Sequence, residues 1–169
     1  KELNRFKESF NLEAATPGTQ QKPLTIASIE IDNIFPSLIH YYKNSPVGKI
    51  VIKNDLDKTV YNIKAELNLR QFIDFPKDSQ VVISLAPGEE TVLYLNIQLN
   101  EKAFNIQEDL PVLAQINVSY EIEGLLQNVS QTTGATLYRR TALSWDDTAK
   151  LAAFIMPNEG IVSAFSHRV

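Results

Sequence analysis

The chain has 169 residues, 44% of them hydrophobic and 21% charged, and its 16 basic and 20 acidic residues give a net charge of −4. This length and composition fit one globular domain with its own core, and the acidic balance disfavours a nucleic-acid binder, which needs basic surface to displace counterions from phosphate. Cysteine is absent, which excludes disulfides, thiolate nucleophiles and Cys-based zinc sites, and no run approaches the roughly 20 apolar residues of a membrane helix.

Residues 1–23 are predicted to be a helix remnant followed by a linker. Apolar residues recur at helical spacing as far as Phe10, and the small, polar stretch after them contains Pro17 and Pro23. The sequence opens on Lys1 without an initiator Met or a signal-peptide pattern. We therefore expect the chain to be a segment of a longer protein.

Residues 24–143 are predicted to be the domain itself, because short strand-like runs alternate there with turn signals rich in Asn, Asp, Pro and Gly. In chain order the predicted strands are Leu24–Ile34, Gly48–Lys53, Val60–Arg70, Gln80–Leu85, Thr91–Asn100, Val112–Tyr120, Leu125–Val129 and Ala135–Leu143. The aromatic stretch between the first two, residues 35–48, is predicted to be a packed crossing connection. Seven or eight regularly spaced short strands indicate an all-β sandwich or barrel.

The alternation of apolar and polar residues predicts which side chains of these strands face the core. In the third and fourth predicted strands the inward residues are Tyr61, Ile63, Ala65, Leu67, Leu69, Val81, Ile83 and Leu85. Phe72, Ile73 and Phe75 are expected to close one end of the core. In the first strand the phase slips between Ile26 and Ile29, which predicts a β-bulge or a strand that changes sheet.

The tail, residues 144–169, is predicted to be short and partly helical and to lead into a following domain. Asp147 is a suitable N-cap for a short helix that ends at Pro157, and Asn158 is a suitable cap for a second one. The stretch before Pro157 is also compatible with a short strand, because periodicity does not decide over so few residues.

No assembled catalytic set, metal site or cofactor site is predicted from the sequence. The two histidines are His40 and His167, and no nucleophile-elbow pattern G-x-S-x-G accompanies them. Asp55 and Asp57 share a turn and offer oxygens to Ca²⁺, but a plain Asx turn explains them better because the EF-hand pattern is missing. The chain is therefore expected not to be an enzyme.

Three aromatic residues, Tyr41, Tyr42 and Trp145, are the candidate binding surface. Exposed together, they would stack on sugar rings or contact a protein partner. Buried, they would instead plug one end of the sandwich beneath the crossing connection and the tail. The second alternative is favoured, because Tyr and Trp combine a large apolar area with a single polar tip.

The order of several short motifs resembles an immunoglobulin-like β-sandwich module of large bacterial proteins that also carry tetratricopeptide helices or a transglutaminase-like cysteine-peptidase domain. The resemblance covers residues 24–169, and the tract around Trp145 is its most specific part. The motifs are Leu24–Ile26, Phe35–Ser37, Tyr41–Tyr42, Ser45–Gly48, Asn54, Val118–Tyr120, Trp145–Asp147 and Lys150–Ile155. The resemblance implies an immunoglobulin-like antiparallel β-sandwich, an accessory role and a location outside the cytoplasm, in the periplasm or at the cell surface.

The expected function is a non-enzymatic structural or protein-interaction module that spaces or docks a neighbouring domain. Its expected partners are neighbouring domains of the same polypeptide or another protein, with neither nucleic acid nor a membrane span involved. The alternative is a carbohydrate-binding module in which the aromatic residues bind a glycan.

Overall fold

Two antiparallel β-sheets pack face to face in the computed structural model, which describes residues 24–142. The seven strands are β1 (Thr25–Ile31), β2 (Gly48–Lys53), β3 (Val60–Leu69), β4 (Val82–Leu85), β5 (Glu90–Leu95), β6 (Leu110–Ile122) and β7 (Leu125–Leu137). One sheet has the strand order β1-β2-β5 and the other β4-β3-β6-β7. The predicted all-β sandwich of seven to eight strands is confirmed. The predicted segment 1–23 and tail 144–169 lie outside the described residues.

The core fills the space between the two sheets with the alternate residues of the long strands. In β3 the buried series runs from Ile63 to Leu69, and in β6 it runs from Ala114 to Tyr120, both as the alternation predicts. Leu93 and Leu95 of β5 face them from the other sheet and are fully buried. Burying each large aliphatic side chain contributes roughly 1.5–3 kcal/mol, so these rows supply much of the stability.

Tyr61 is the first departure from the predicted pattern, because it is 48% exposed rather than inward. The register between β3 and β6 shifts between Tyr61 and Lys64, and Asn62 within that shift has a φ of 52°. Asn tolerates this left-handed conformation better than most residues. The irregularity reverses the facing of the strand, so Val60 is buried in place of Tyr61.

Val81 and Ile83 are the second departure, since both were predicted to face inward and are 54% and 77% exposed. The strand beside β3 starts later than predicted, at Val82, and is only four residues long. Ahead of it, Ser79 fills the place next to β3, where its backbone N–H donates to the Ala65 carbonyl at 2.7 Å. Phe75 is likewise 82% exposed instead of closing the core.

The first and last strands of the structure also differ in their boundaries from the predicted ones. The β-bulge predicted in the first strand is confirmed, since the β1–β2 register shifts between Ile26 and Ser28. The two strands predicted after Gly124 are one continuous strand, β7, which stays paired with β6 throughout its length. Glu123 and Gly124 connect β6 to β7 with φ angles of 52° and 77°, as a two-residue type I′ turn requires.

Asn54 joins two turns at one end of the sandwich and is completely buried. Its side-chain Nδ2 donates to the carbonyls of Lys58 at 2.9 Å and Leu85 at 2.8 Å, and its Oδ1 accepts from the Leu56 amide at 3.0 Å. Its backbone carbonyl also accepts from the Gly88 amide at 2.7 Å. Asn54 therefore holds the β2–β3 turn against the β4–β5 turn.

The chain enters and leaves the sandwich at opposite ends. At the start of β1, Thr25 pairs with Lys53, next to the Asn54 turn. At the far end, Ile34 forms a parallel bridge with Leu137, the last residue of β7. Because β1 and its extension run in the same direction as β7, the first and last strands begin near one end and finish near the other.

Candidate functional site

The crossing connection between β1 and β2 folds into two short 3₁₀ turns, Pro36–Leu38 and Tyr41–Lys43. Pro36 occupies the first position of the first turn, where its fixed φ suits a helical start and its missing N–H costs nothing. Leu38 is buried and anchors the connection to the core. The connection therefore contains two 3₁₀ turns that flank Ile39 and His40.

Tyr42 lies in the core beneath this connection, with only 3% of its surface exposed. Its hydroxyl oxygen accepts a hydrogen bond from the backbone amide of Phe35 at 2.9 Å. The ring of Tyr41 meets that of Tyr42 edge to face, with centroids 5.9 Å apart, and is itself half-buried against the core. The two adjacent tyrosines thus close the end of the sandwich from which the chain exits.

Tyr138 completes this aromatic cluster from the other side. Its ring stacks on that of Phe35 with a centroid distance of 4.6 Å and an interplanar angle of 17°. Its backbone amide also donates to the Ile34 carbonyl at 2.8 Å. The sequence analysis did not single out Tyr138, which lies inside the predicted strand Ala135–Leu143 and, in the structure, directly after β7.

Burial raises the pKa of the Tyr42 hydroxyl from 10.0 to about 12, partly opposed by the hydrogen bond from the Phe35 backbone. The pKa of Tyr42 is higher in the folded state than in the unfolded state, so the folded state favours the protonated hydroxyl. The resulting stabilisation is complete below pH 10 and is lost as the pH rises towards 12. We expect the loss to be about 2–3 kcal/mol, from about 1.4 kcal/mol per pKa unit.

Urea unfolding at several alkaline pH values measures this effect. Tyr42→Phe should cost about 1 kcal/mol near neutral pH, where it removes one hydrogen-bond acceptor. Because the variant cannot ionise at this position, its stability should approach that of the wild type above pH 10. The exposed Tyr94→Phe serves as the control. A stability difference between Tyr42→Phe and the wild type that stays constant with pH would contradict the assignment.

The three residues predicted to form a binding surface do not form one exposed surface among the described residues. Tyr42 offers no ring face to a ligand because it belongs to the core, and Tyr41 is half-buried beside it. Trp145 lies outside the described residues. The structure therefore brings the two tyrosines together at the predicted place, and carbohydrate binding remains a prediction for Tyr41 and Trp145 only.

Of the other polar candidates, His40, Asp55 and Asp57 lie within the described residues. His40 is exposed between the two 3₁₀ turns, and His167 lies outside the described residues, as do Asp146 and Asp147. The Asp55 carboxylate accepts from the Thr25 hydroxyl at 2.7 Å and lies 3.5 Å from the Lys53 ammonium. Within residues 24–142, no group of three or more His, Cys, Asp or Glu side chains is arranged to hold a metal ion.

Polar side chains bind one another across strands at the centre of the outer face of the larger sheet. The Lys64 ammonium contacts the Asp78 carboxylate at 2.7 Å, and Asn117 donates to Glu66 at 3.0 Å. Hydrogen bonding to Asp78 and its charge raise the pKa of Lys64. A shallow cleft lies over this face, lined by Lys64, Ala65, Glu66, Asp78, Asn117, Ser119 and Asn128. The ion pair between Lys64 and Asp78 is exposed to solvent and adds little to the stability of the fold.

Comparisons with known proteins give no family to which the chain belongs. No family model and no curated protein matches it. Among solved structures, it is similar to the solution structure of a protein described as late embryogenesis abundant (LEA), with a TM-score of 0.43 and 14% sequence identity over 80% of this chain and 79% of that chain. A likeness at this level says nothing about what the chain binds. Across the described part of the chain, no helix has the length and hydropathy needed to cross a membrane.

Proposed function

We propose that the chain is a non-enzymatic structural module that spaces or docks domains attached to its two ends. The observation that carries this proposal is the placement of its entry and exit at opposite ends of the sandwich. The extended path from Thr25 to Ile34 covers about 30 Å at 3.3 Å per residue. The described chain therefore enters and leaves the sandwich at points that lie roughly that far apart.

A spacer also needs fixed junctions, and both ends of the sandwich have side-chain anchors close to the junction. At the entry, the Thr25 hydroxyl donates to the Asp55 carboxylate at 2.7 Å. At the exit, Tyr138 stacks on Phe35 and donates its amide to Ile34. These contacts hold the first and last described segments of the chain against the sandwich.

The strand order supports an immunoglobulin-like classification as part of the same proposal. In immunoglobulin domains the first, second and fifth strands oppose the third, sixth and seventh, and here the fourth strand joins the latter sheet. The hallmark disulfide and the Trp on the third strand are missing from this sequence. An accessory role in a large bacterial protein, outside the cytoplasm, rests on the sequence resemblance alone.

Distance measurement between paired spin labels tests the spacing. Because the chain has no cysteine, Asp57→Cys and Arg140→Cys place one label on an exposed residue at each end. We expect a single narrow distribution centred at about 40 Å, the length of a thirteen-residue strand such as β7.

The control pair places both labels at the entry end, at Asp57 and Leu125. The neighbouring Lys58 and Glu123 are joined there by an ion pair of 2.7 Å, so a much shorter distance is expected. A broad distribution for the end-to-end pair, or one as short as that of the control, would rule out a rigid spacer.

A further inference from the structure

The two sheets have four edge strands, and three of them are protected against pairing with another chain. β1 contains a bulge, and β4 has only four residues. The free edge of β5 is capped by Gln80, whose side-chain amide donates to the Val92 carbonyl at 3.0 Å and accepts from the Tyr94 amide at 3.2 Å. Bulges, short length and covered edges are the usual devices that prevent edge-to-edge association.

Among residues 24–142, nothing of this kind protects most of the fourth edge strand, β7. It is thirteen residues long, its register with β6 has no shift, and it contains no charged residue and no proline. On its other side, Ile34 donates to the Thr136 carbonyl and accepts from the Tyr138 amide, which covers the last few residues only. A long, neutral and regular edge strand is a template for pairing with a further strand.

The hydrogen bonds of Ile34 with Thr136 and Tyr138 identify which backbone groups of β7 face away from β6. The amide and carbonyl of one strand residue point to the same side, and successive residues alternate. Since Thr136 and Tyr138 face the open side, the other even-numbered residues face it too. They are Leu126, Asn128, Ser130, Thr132 and Gly134. Within residues 24–142, the backbone hydrogen bonds of this stretch are those of the β6 ladder.

We propose that this edge pairs antiparallel with the same edge of a second copy of the chain, about a two-fold axis at Ser130. The open edge runs from the hairpin turn at Gly124 to the Ile34 contact at Thr136. Complete overlap of this edge with itself places Ser130 opposite Ser130. The five outward residues on each strand would then exchange about ten backbone hydrogen bonds.

The side chains fit this register of self-pairing. Leu126 lies opposite Gly134, where no side chain competes for space. Asn128 lies opposite Thr132, so an amide meets a hydroxyl. No like charges face each other, whereas strand partners with charged side chains would find no complement on β7. A self-complementary patch of this kind suits an isologous dimer and favours a second copy over an unrelated peptide.

The experiment uses the 169-residue chain and two charge variants of the axis residue. Sedimentation over a range of protein concentrations should show a reversible monomer–dimer equilibrium for the wild type. Ser130→Lys and Ser130→Glu each place like charges at the axis and should weaken association at least about tenfold. An equimolar mixture of the two variants should restore it, because opposite charges then meet.

Amide hydrogen exchange provides a second readout that does not depend on the variants. The Ser130 and Thr132 amides should gain protection as the wild-type concentration rises, while the Val129 and Gln131 amides, which face β6, should not change. A wild type that stays monomeric, association that neither charge affects, or a mixture that fails to associate would overturn the proposal. Protection of the Ser130 amide at every concentration would also overturn it, because it would place a segment of the same chain on this edge.

Discussion

Replacing Gly48 by alanine is expected to lower the free energy of unfolding by about 3–5 kcal/mol. Gly48 begins the central strand of the smaller sheet, where it pairs with Ile31 on one side and Leu95 on the other. A β-carbon added there would lie 2.3 Å from the Glu30 carbonyl oxygen and 3.0 Å from the Ile31 α-carbon. Both are backbone atoms, so no side-chain rotation relieves the overlap and β1 has to move away.

Urea unfolding monitored by circular dichroism measures this loss, with Gly134→Ala as the matched control. Gly134 also lies in a strand, but nothing lies within 4 Å of the position its β-carbon would take. We expect the control to change stability by no more than about 0.5 kcal/mol. Equal losses in the two variants would mean that the close approach of β1 to Gly48 is not the cause.

Replacing Asn54 by leucine, which has a similar volume, is expected to cost about 3–5 kcal/mol. The substitution removes two donors and one acceptor from a completely buried site. The carbonyls of Lys58 and Leu85 and the amide of Leu56 then lose these bonds, and each buried polar group left unsatisfied costs about 1–3 kcal/mol. Better apolar packing cannot offset this, because the groups left behind belong to the backbone.

The same unfolding measurement on Asn33→Ala supplies the control, since Asn33 is exposed. Its loss should be under about 0.5 kcal/mol. Hydrogen exchange adds a more specific readout for Asn54→Leu, because the Gly88 amide donates to the Asn54 carbonyl and should exchange faster when the two turns separate. Unchanged exchange at Gly88 together with a small loss of stability would contradict the assigned role.

For the aromatic cluster, the sequence pointed to the crossing connection but not to every aromatic residue that packs there. Two adjacent tyrosines between prolines indicated a packed connection, and Tyr41 and Tyr42 do pack there. Which of them enters the core depends on the 3₁₀ turn at Tyr41–Lys43 and on the Phe35 amide that meets the Tyr42 hydroxyl. The partner from the other end of the chain, Tyr138, depends on the Ile34–Leu137 bridge, which no local pattern encodes.

The sequence by itself determined the all-β class and the core-facing residues wherever a strand is regular. The period of two in β6 gave its buried face, because β6 itself contains no extra residue: the irregularity in its pairing with β3 lies in β3. The bulge in β1 was also visible, as a slip in the spacing of its isoleucines.

Only the tertiary structure decided the features that depend on contacts between distant residues. Tyr61 is exposed because of an irregularity at Asn62, and Val81 and Ile83 are exposed because Ser79 and Gln80 contact β3 and β5 ahead of β4. The same holds for the close approach of β1 to Gly48 and for the part of the β7 edge that residues 24–142 leave unpaired. The alternation of apolar and polar residues indicates which side of a single strand faces the core. Sheet order and edge protection instead arise from hydrogen bonds between segments far apart in the chain.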